Sequence, residues 1–313
     1  MQKDNLLQCH REIRPYIHRT PVLTSSSINR MAKADVYFKC ENFQKGGAYK
    51  IRGATNAVLQ LTDAQKDGGV VTHSSGNFAQ ALSLAARNVG TEAFIVMPST
   101  APQVKKDAVA EYGGKIIECK PTLAAREAAA QKIERETGAT FIHPSNDERV
   151  ILGQGTACME LLEECPDLEM VIVPVGGGGL IAGTGLAAHF FGKDCRVIGA
   201  EPFEVDDAYR SLKSGKIETN ASANTIADGL KTQLGDKSFP LMQRYVDRIV
   251  RVTETEIVHA MKLIWERMKI VVEPSSAVAL AALLSDTNEF VGKKVGIVIS
   301  GGNVDVTKLP FSM

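Results

Sequence analysis

The chain has 313 residues, enough to bury a large core in one or two domains. Its 36 lysines and arginines balance 36 aspartates and glutamates, which excludes both the basic surplus of a nucleic-acid binder and the charge blocks of an interaction tail. No apolar run reaches the roughly 18 residues of a membrane span, and the polar opening "MQKDNLLQCHREIRPYIHRT" lacks the apolar stretch of a secretory signal, so a cytoplasmic protein with no membrane partner is expected.

Strand-like and helix-like stretches alternate along the chain. "ADVYFKCE" reads as a strand, and "IRGATNAVLQLT" as a helix with Ile51, Ala54, Val58 and Leu59 at helical spacing. "GGVVTHSSGN" is a short strand running into a small-residue turn. "FAQALSLAARNVG" is a helix ended by Gly90. "EAFIVMP", "KIIECK" and "ATFIHP" read as strands, separated by the helices "APQVKKDAVAEYGG" and "TLAAREAAAQKIERETG". "MVIVPV", "CRVIGAEP" and "KKVGIVIS" are short continuous apolar strands of the kind covered on both faces. The alternation predicts an α/β fold with mostly parallel sheets. Compact strand–helix units between 69 and 146 suggest an inserted small domain, with 1–68 and 147–313 forming the large one.

Ligands of open α/β sheets bind where strands end and helices begin. "PVGGGGLIAG" places Gly176, Gly177, Gly178 and Gly179 at such a point. Backbone N–H groups without Cβ atoms in the way, ahead of a helix N-terminus, suit a phosphate. The spacing matches neither a nucleotide P-loop nor the dinucleotide fingerprint. Ser74, Ser75, Gly76 and Asn77 in "THSSGNFAQ" could grip a carboxylate or merely cap a helix. Ser300 ends another strand in "VISGGNVD", where its hydroxyl can bond a ring nitrogen. In "FQKGGAYKIRGA", Lys50 stands among small residues at a helix start. A lysine in a water-poor pocket, beside another cation such as Arg52, is held neutral and attacks carbonyls. Glycine-rich loops alone also fit a nucleotide-dependent oxidoreductase or a binding protein. The combination of lysine, phosphate cradle and strand-end serine suits a phosphorylated pyridine aldehyde. Cys9, Cys40, Cys119, Cys158, Cys165 and Cys195 show no metal or CxxC spacing and read as reduced thiols.

Over nearly its whole length the chain resembles the fold type II pyridoxal-phosphate enzymes of the serine/threonine dehydratase and serine racemase family. The likeness rests on "KGGAYKIRGATNAV", "HSSGNFAQAL", "GQGT", "VPVGGGGLIAG", "AEPFEVDDAY", "TIADGL", "MKIVVEPSSAVALAALL" and "SGGNVD", in that order. The resemblance implies a tryptophan synthase β-like pair of twisted sheets, pyridoxal 5'-phosphate as cofactor, and a homodimer. It implies that Lys50 carries the cofactor and takes the Cα proton, and that Phe43 lines the ring. Asn77 would bond the phenolic oxygen, the four glycines the phosphate, and Ser300 the ring nitrogen. Ser74, Ser75, Gly76 and Asn77 would hold the substrate's α-carboxylate, and Arg126 a distal carboxylate. Ser75 matches the acid/base on the opposite face in racemases. Glu201, Asp207 and the carbonyl of Val205 would bind a divalent cation: magnesium, calcium or manganese. Ala48, where dehydratases commonly have serine, tilts the expectation toward 3-hydroxyaspartate, with L-serine and L-threonine as further substrates. Phe78 stands where histidine is usual. Ser145 stands where animal racemases place an asparagine on a regulatory nucleotide, so ATP control is not expected. The expected activity is that of an ammonia-lyase; serine or aspartate racemisation is the alternative.

Overall fold

The computed structural model describes residues 1–312. Ten strands, β1 (Val22–Leu23), β2 (Asp35–Cys40), β3 (Val70–His73), β4 (Ala93–Pro98), β5 (Lys115–Cys119), β6 (Thr140–Phe141), β7 (Met170–Pro174), β8 (Arg196–Pro202), β9 (Arg248–Val252) and β10 (Lys294–Ile299), form two sheets. The larger has the order β1-β2-β10-β7-β8-β9 and the smaller β5-β4-β3-β6. Every pairing is parallel except β1 with β2.

Alternate side chains of each strand enter different cores, as a period of two requires. In the large sheet, Val171, Val173 and Val298 face one core, and Ile172, Ile297 and Val36 face the other. In the small sheet, Val70, Ile95 and Met97 join that first core, while Val71, Phe94 and Val96 pack with Ala130 and Ile133. One apolar core therefore reaches both sheets, through the helices Lys50–Leu59, Asn77–Val89 and Glu148–Glu164.

The "GQGT" motif explains how closely these helices meet. A Cβ at Gly153 would lie 2.5 Å from both the Arg52 carbonyl oxygen and the Gly53 Cα, and one at Gly155 would lie 2.7 Å from the Gly183 carbonyl oxygen. Helix Glu148–Glu164 thus holds the lysine helix on one side and the glycine-loop helix, Gly179–Phe191, on the other. The expected strand "ATFIHP" shortens to Thr140–Phe141: after the Ile142 N–H bonds the Val71 carbonyl, Pro144 has no N–H to extend the ladder and the chain turns. The edge strands β1 and β9 and helix Glu148–Glu164 were not assigned from sequence periodicity.

Candidate functional site

Lys50 is the first residue of helix Lys50–Leu59. Gly46 and Gly47 before it both have φ of 71°, the left-handed region glycine favours. Gly47 is also crowded, since a Cβ there would lie 2.4 Å from Asn303 Oδ1. The loop is stitched to the end of β10: Tyr49 N–H donates to the Ser300 carbonyl at 3.0 Å, and Gly302 N–H to the Gly47 carbonyl at 2.9 Å. The Lys50 amine donates to the Pro144 carbonyl at 2.9 Å and lies 5.0 and 5.8 Å from the Tyr49 and Phe78 rings. The residue is partly accessible, but its amine is enclosed. Burial lowers its pKa to about 8, and the negative charge of Glu273 opposes the shift.

Arg52 does not act on Lys50 as sequence reasoning expected. Its fully buried guanidinium forks onto both oxygens of Glu41, at 2.7 and 2.8 Å, and both of Glu160, at 2.9 and 2.8 Å. Buried Lys39 adds a 2.7 Å bridge to Glu160, and His10 a 3.0 Å contact. Burial pushes the Glu160 carboxyl up, but its bonds from His10 and Arg52 outweigh this and hold it far below the usual range. Two cations and two anions balance beneath the lysine helix, so the Arg52 charge is spent there.

The strand-end groups converge on this lysine. Ser300 is buried and its hydroxyl pairs with that of Ser276 at 3.0 Å. Asn77 opens helix Asn77–Val89; its Nδ2 donates to both oxygens of Glu273, at 3.0 and 3.1 Å, while its Oδ1 accepts from Asn303 at 3.0 Å. Burial raises the Glu273 carboxyl to about 7, and the Asn77 bond opposes the shift. Ser74, Ser75 and Gly76 are half-buried in the same turn, with the Gly76 N–H donating to Ser74 Oγ at 3.4 Å. Phe43, on the 3-10 turn Glu41–Phe43, is 45% exposed.

The glycine loop permits close approach. Gly178 has φ of 81°, and a Cβ at Gly177 would lie 2.2 Å from Ser145 Oγ. Helix Gly179–Phe191 begins there and aims its free N–H groups at the cradle. The donor set fits a phosphate. Ser145 packs on this loop, a placement sequence reading did not give it. Glu273, Ser276 and His143 were given no role by sequence reasoning; the first two lie inside the quoted "EPSSAVAL", and Asn303 inside the quoted "SGGNVD".

Arg126 lies on helix Leu123–Thr137, with its Nε buried and unpartnered. Glu201, on β8, and Asp207, the first residue of helix Asp207–Ser214, are a separate pair. Both are fully buried, and burial raises both carboxyls, Glu201 strongly and with the Asp207 charge adding to it. Among the described residues, no lysine or arginine bridges either one; each accepts only neutral N–H groups, from Ala208 and Tyr209 and from Asn220 and Leu234. Among the described residues, no helix is long and apolar enough to cross a membrane.

Known proteins match this architecture over its whole length. The family profile described as "Pyridoxal-phosphate dependent enzyme" matches residues 13–301. A beta-hydroxyaspartate dehydratase from Paracoccus denitrificans is 50% identical over 309 residues, 99% of this chain and 98% of that protein. A serine racemase from Arabidopsis thaliana is 50% identical over 312 residues, 97% of this chain and 94% of that protein. The crystal structure of serine racemase from Dictyostelium discoideum superposes with a TM-score of 0.93 at 48% identity, covering 97% of this chain and 98% of that one.

Proposed function

The chain belongs to the pyridoxal-phosphate-dependent enzymes, and from that premise we propose that it is an ammonia-lyase acting on 3-hydroxyaspartate, and on L-serine and L-threonine more weakly. The observation that carries the reaction type is the enclosed Lys50 amine, held on the Pro144 carbonyl at 2.9 Å with its pKa lowered by burial to about 8, so that a fraction is neutral and able to take a proton. When bound, the cofactor supplies an electron sink for the pair left behind.

Lys50 carries the cofactor and removes the substrate's Cα proton. The glycine loop, Gly176 to Gly179, holds the phosphate, Asn77 the phenolic oxygen, and Ser300 the ring nitrogen, with Phe43 along the ring. The Ser300–Ser276 hydroxyl pair offers that nitrogen no carboxylate, which favours rapid loss of a β leaving group over transamination. Ser74, Ser75, Gly76 and Asn77 hold the α-carboxylate. Arg126, with its unpartnered Nε, takes the second carboxylate, which selects a dicarboxylic substrate. The hydroxyl leaves, and water releases ammonia and a 2-oxo acid. Glu201, Asp207 and the Val205 carbonyl hold a divalent cation, whose oxygen preference matches magnesium or calcium. The working unit is a cytoplasmic homodimer.

Oxo-acid release from DL-threo-3-hydroxyaspartate, L-serine and L-threonine, measured side by side, tests the assignment. Hydroxyaspartate should be fastest; a lead by serine or threonine overturns the substrate reading. Racemisation of serine or aspartate is the second reading, favoured by Ser75 in the carboxylate turn. Ser75→Ala should then stop D-amino-acid formation and spare elimination.

A further inference from the structure

The Asn77 amide is held at both ends. Asn303 Nδ2 donates to the Gly46 carbonyl at 2.8 Å and to Asn77 Oδ1 at 3.0 Å. A carbonyl only accepts, so Asn303 must present its nitrogen to Gly46, and both of its N–H groups are then used. Asn77 therefore turns its oxygen to Asn303 and its nitrogen to Glu273, whose two oxygens it meets at 3.0 and 3.1 Å. Those oxygens subtend a narrow angle at the amide nitrogen, while its two N–H bonds diverge widely. One N–H serves both oxygens, and the second has no acceptor among the described residues.

Glu273 is anchored where this arrangement needs it. Its backbone N–H donates to the Gly301 carbonyl at 3.2 Å, directly after Ser300. Ser276 donates to the same carbonyl and accepts the Gly301 N–H, both at 2.7 Å. The Glu273 side chain makes no capping bond to helix Pro274–Ser285, which it precedes. Among the described residues, the side-chain hydrogen bonds to its carboxylate come from Asn77 alone. The Asn77 amide is thus tied to the lysine loop through Gly46 and to the serine strand end through Glu273 and Gly301, two sides of the proposed cofactor site.

We infer that Glu273 is a positioning residue: it fixes the Asn77 amide so that an N–H, rather than the amide oxygen, is offered to the phenolic oxygen of the cofactor. The inference rests on the reading proposed above, in which Asn77 bonds that oxygen. A turned amide would set Oδ1 against another acceptor and exchange a hydrogen bond for a repulsion. Turning is opposed twice, because it would also bring Oδ1 onto the Glu273 carboxylate and two nitrogens together at Asn303. Ionised or neutral, Glu273 keeps an oxygen for Asn77, so glutamine preserves the arrangement and leucine releases it.

The test compares pyridoxine 5'-phosphate with its 3-deoxy analogue, which lacks only the phenolic oxygen. Neither has an aldehyde, so neither bonds Lys50 covalently. In calorimetric titration of the full-length apoprotein, wild type should prefer the phenolic compound by about tenfold. Asn77→Ala and Glu273→Leu should each cut that preference to about twofold or less, while Glu273→Gln keeps it. Affinity for the deoxy analogue should stay within about threefold in both Glu273 variants, because that compound does not use the positioned N–H. In wild type labelled with 15N-asparagine, the phenolic compound should shift one of the two Asn77 side-chain N–H signals and the deoxy analogue should not; this readout stands even if the leucine variant fails to fold. Equal losses of both compounds in Glu273→Leu mean general damage to the site and overturn the inference, as does a signal blind to the phenolic oxygen. A preference that survives Glu273→Leu but not Asn77→Ala overturns the role of Glu273 and leaves the Asn77 contact standing. A preference that survives Asn77→Ala, or is absent from wild type, removes the proposed Asn77 contact and the inference with it.

Discussion

Asn77 turns its amide onto Glu273, donating Nδ2 to both carboxylate oxygens at 3.0 and 3.1 Å. That carboxyl is 4% exposed, and burial lifts it from 4.5 to about 7. The sign follows from proton counting. Between those values the native state keeps a proton that the unfolded chain releases, so this group's contribution to stability falls as pH rises from about 4.5 to about 7. Glu273→Gln keeps an oxygen for Asn77 and removes the titration. The apoprotein variant should match wild type near pH 5 and exceed it by up to about 3 kcal/mol at pH 8, in urea unfolding. A gap that does not change with pH refutes the raised carboxyl.

The Lys50 amine is the nucleophile, and only its neutral form reacts. With a pKa near 8, the rate at which apoprotein takes up the cofactor should climb about tenfold per pH unit below 8 and level off above. An unshifted lysine would go on climbing toward 10.5. Lys50→Ala should lose all turnover and all borohydride-fixed cofactor. Substantial residual turnover in that variant would remove Lys50 from the chemistry.

Arg52→Met should cost about 3–5 kcal/mol in denaturant unfolding, because it strands the Glu41 carboxylate in a dry interior, while Glu160 keeps its bridge to Lys39. Adding Glu41→Gln should recover much of the loss, since the stranded Glu41 charge causes it, whereas Glu160 must stay charged to balance Lys39. No recovery means that packing of the arginine stem, rather than charge balance, carries the cost.

The parts of the site that depend on local chemistry were legible in the sequence. Four glycines between an apolar strand and a helix announce an anion cradle, and the structure gives Gly178 the positive φ and Gly177 the close neighbour that such a loop needs. Lys50 among small residues was legible in the same way, as was the strand–helix alternation behind both sheets. What could not be read is pairing across distance. Asn77 meets Glu273 across 196 residues of sequence, Lys50 meets Pro144 across 94, and Arg52 meets Glu160 across 108. Periodicity reports which face of an element is apolar. It does not report which polar group of a remote element arrives there. For that reason Arg52 read as a neighbour of Lys50, when its charge is consumed on the far side of the helix.

Glu201 and Asp207 carry the last prediction. Two carboxylates buried together with no basic partner repel each other, and burial raises both. Without a cation, the native pair binds protons that the unfolded chain releases, so the pair's contribution to stability declines as pH rises above the ordinary carboxylate range. A divalent cation binds only the deprotonated pair and reverses that trend. Millimolar magnesium or calcium should therefore raise the Tm, and raise it more at pH 8 than at pH 5.5, while EDTA undoes the gain. Glu201→Gln or Asp207→Asn should abolish the response to the ion and reduce the pH-dependent loss seen without it. The second effect separates a cation site from a general salt effect, because a salt effect would survive either substitution. A Tm indifferent to both ions and to EDTA at pH 8 would leave the pair as a protonated carboxyl dyad, with no cation at this site.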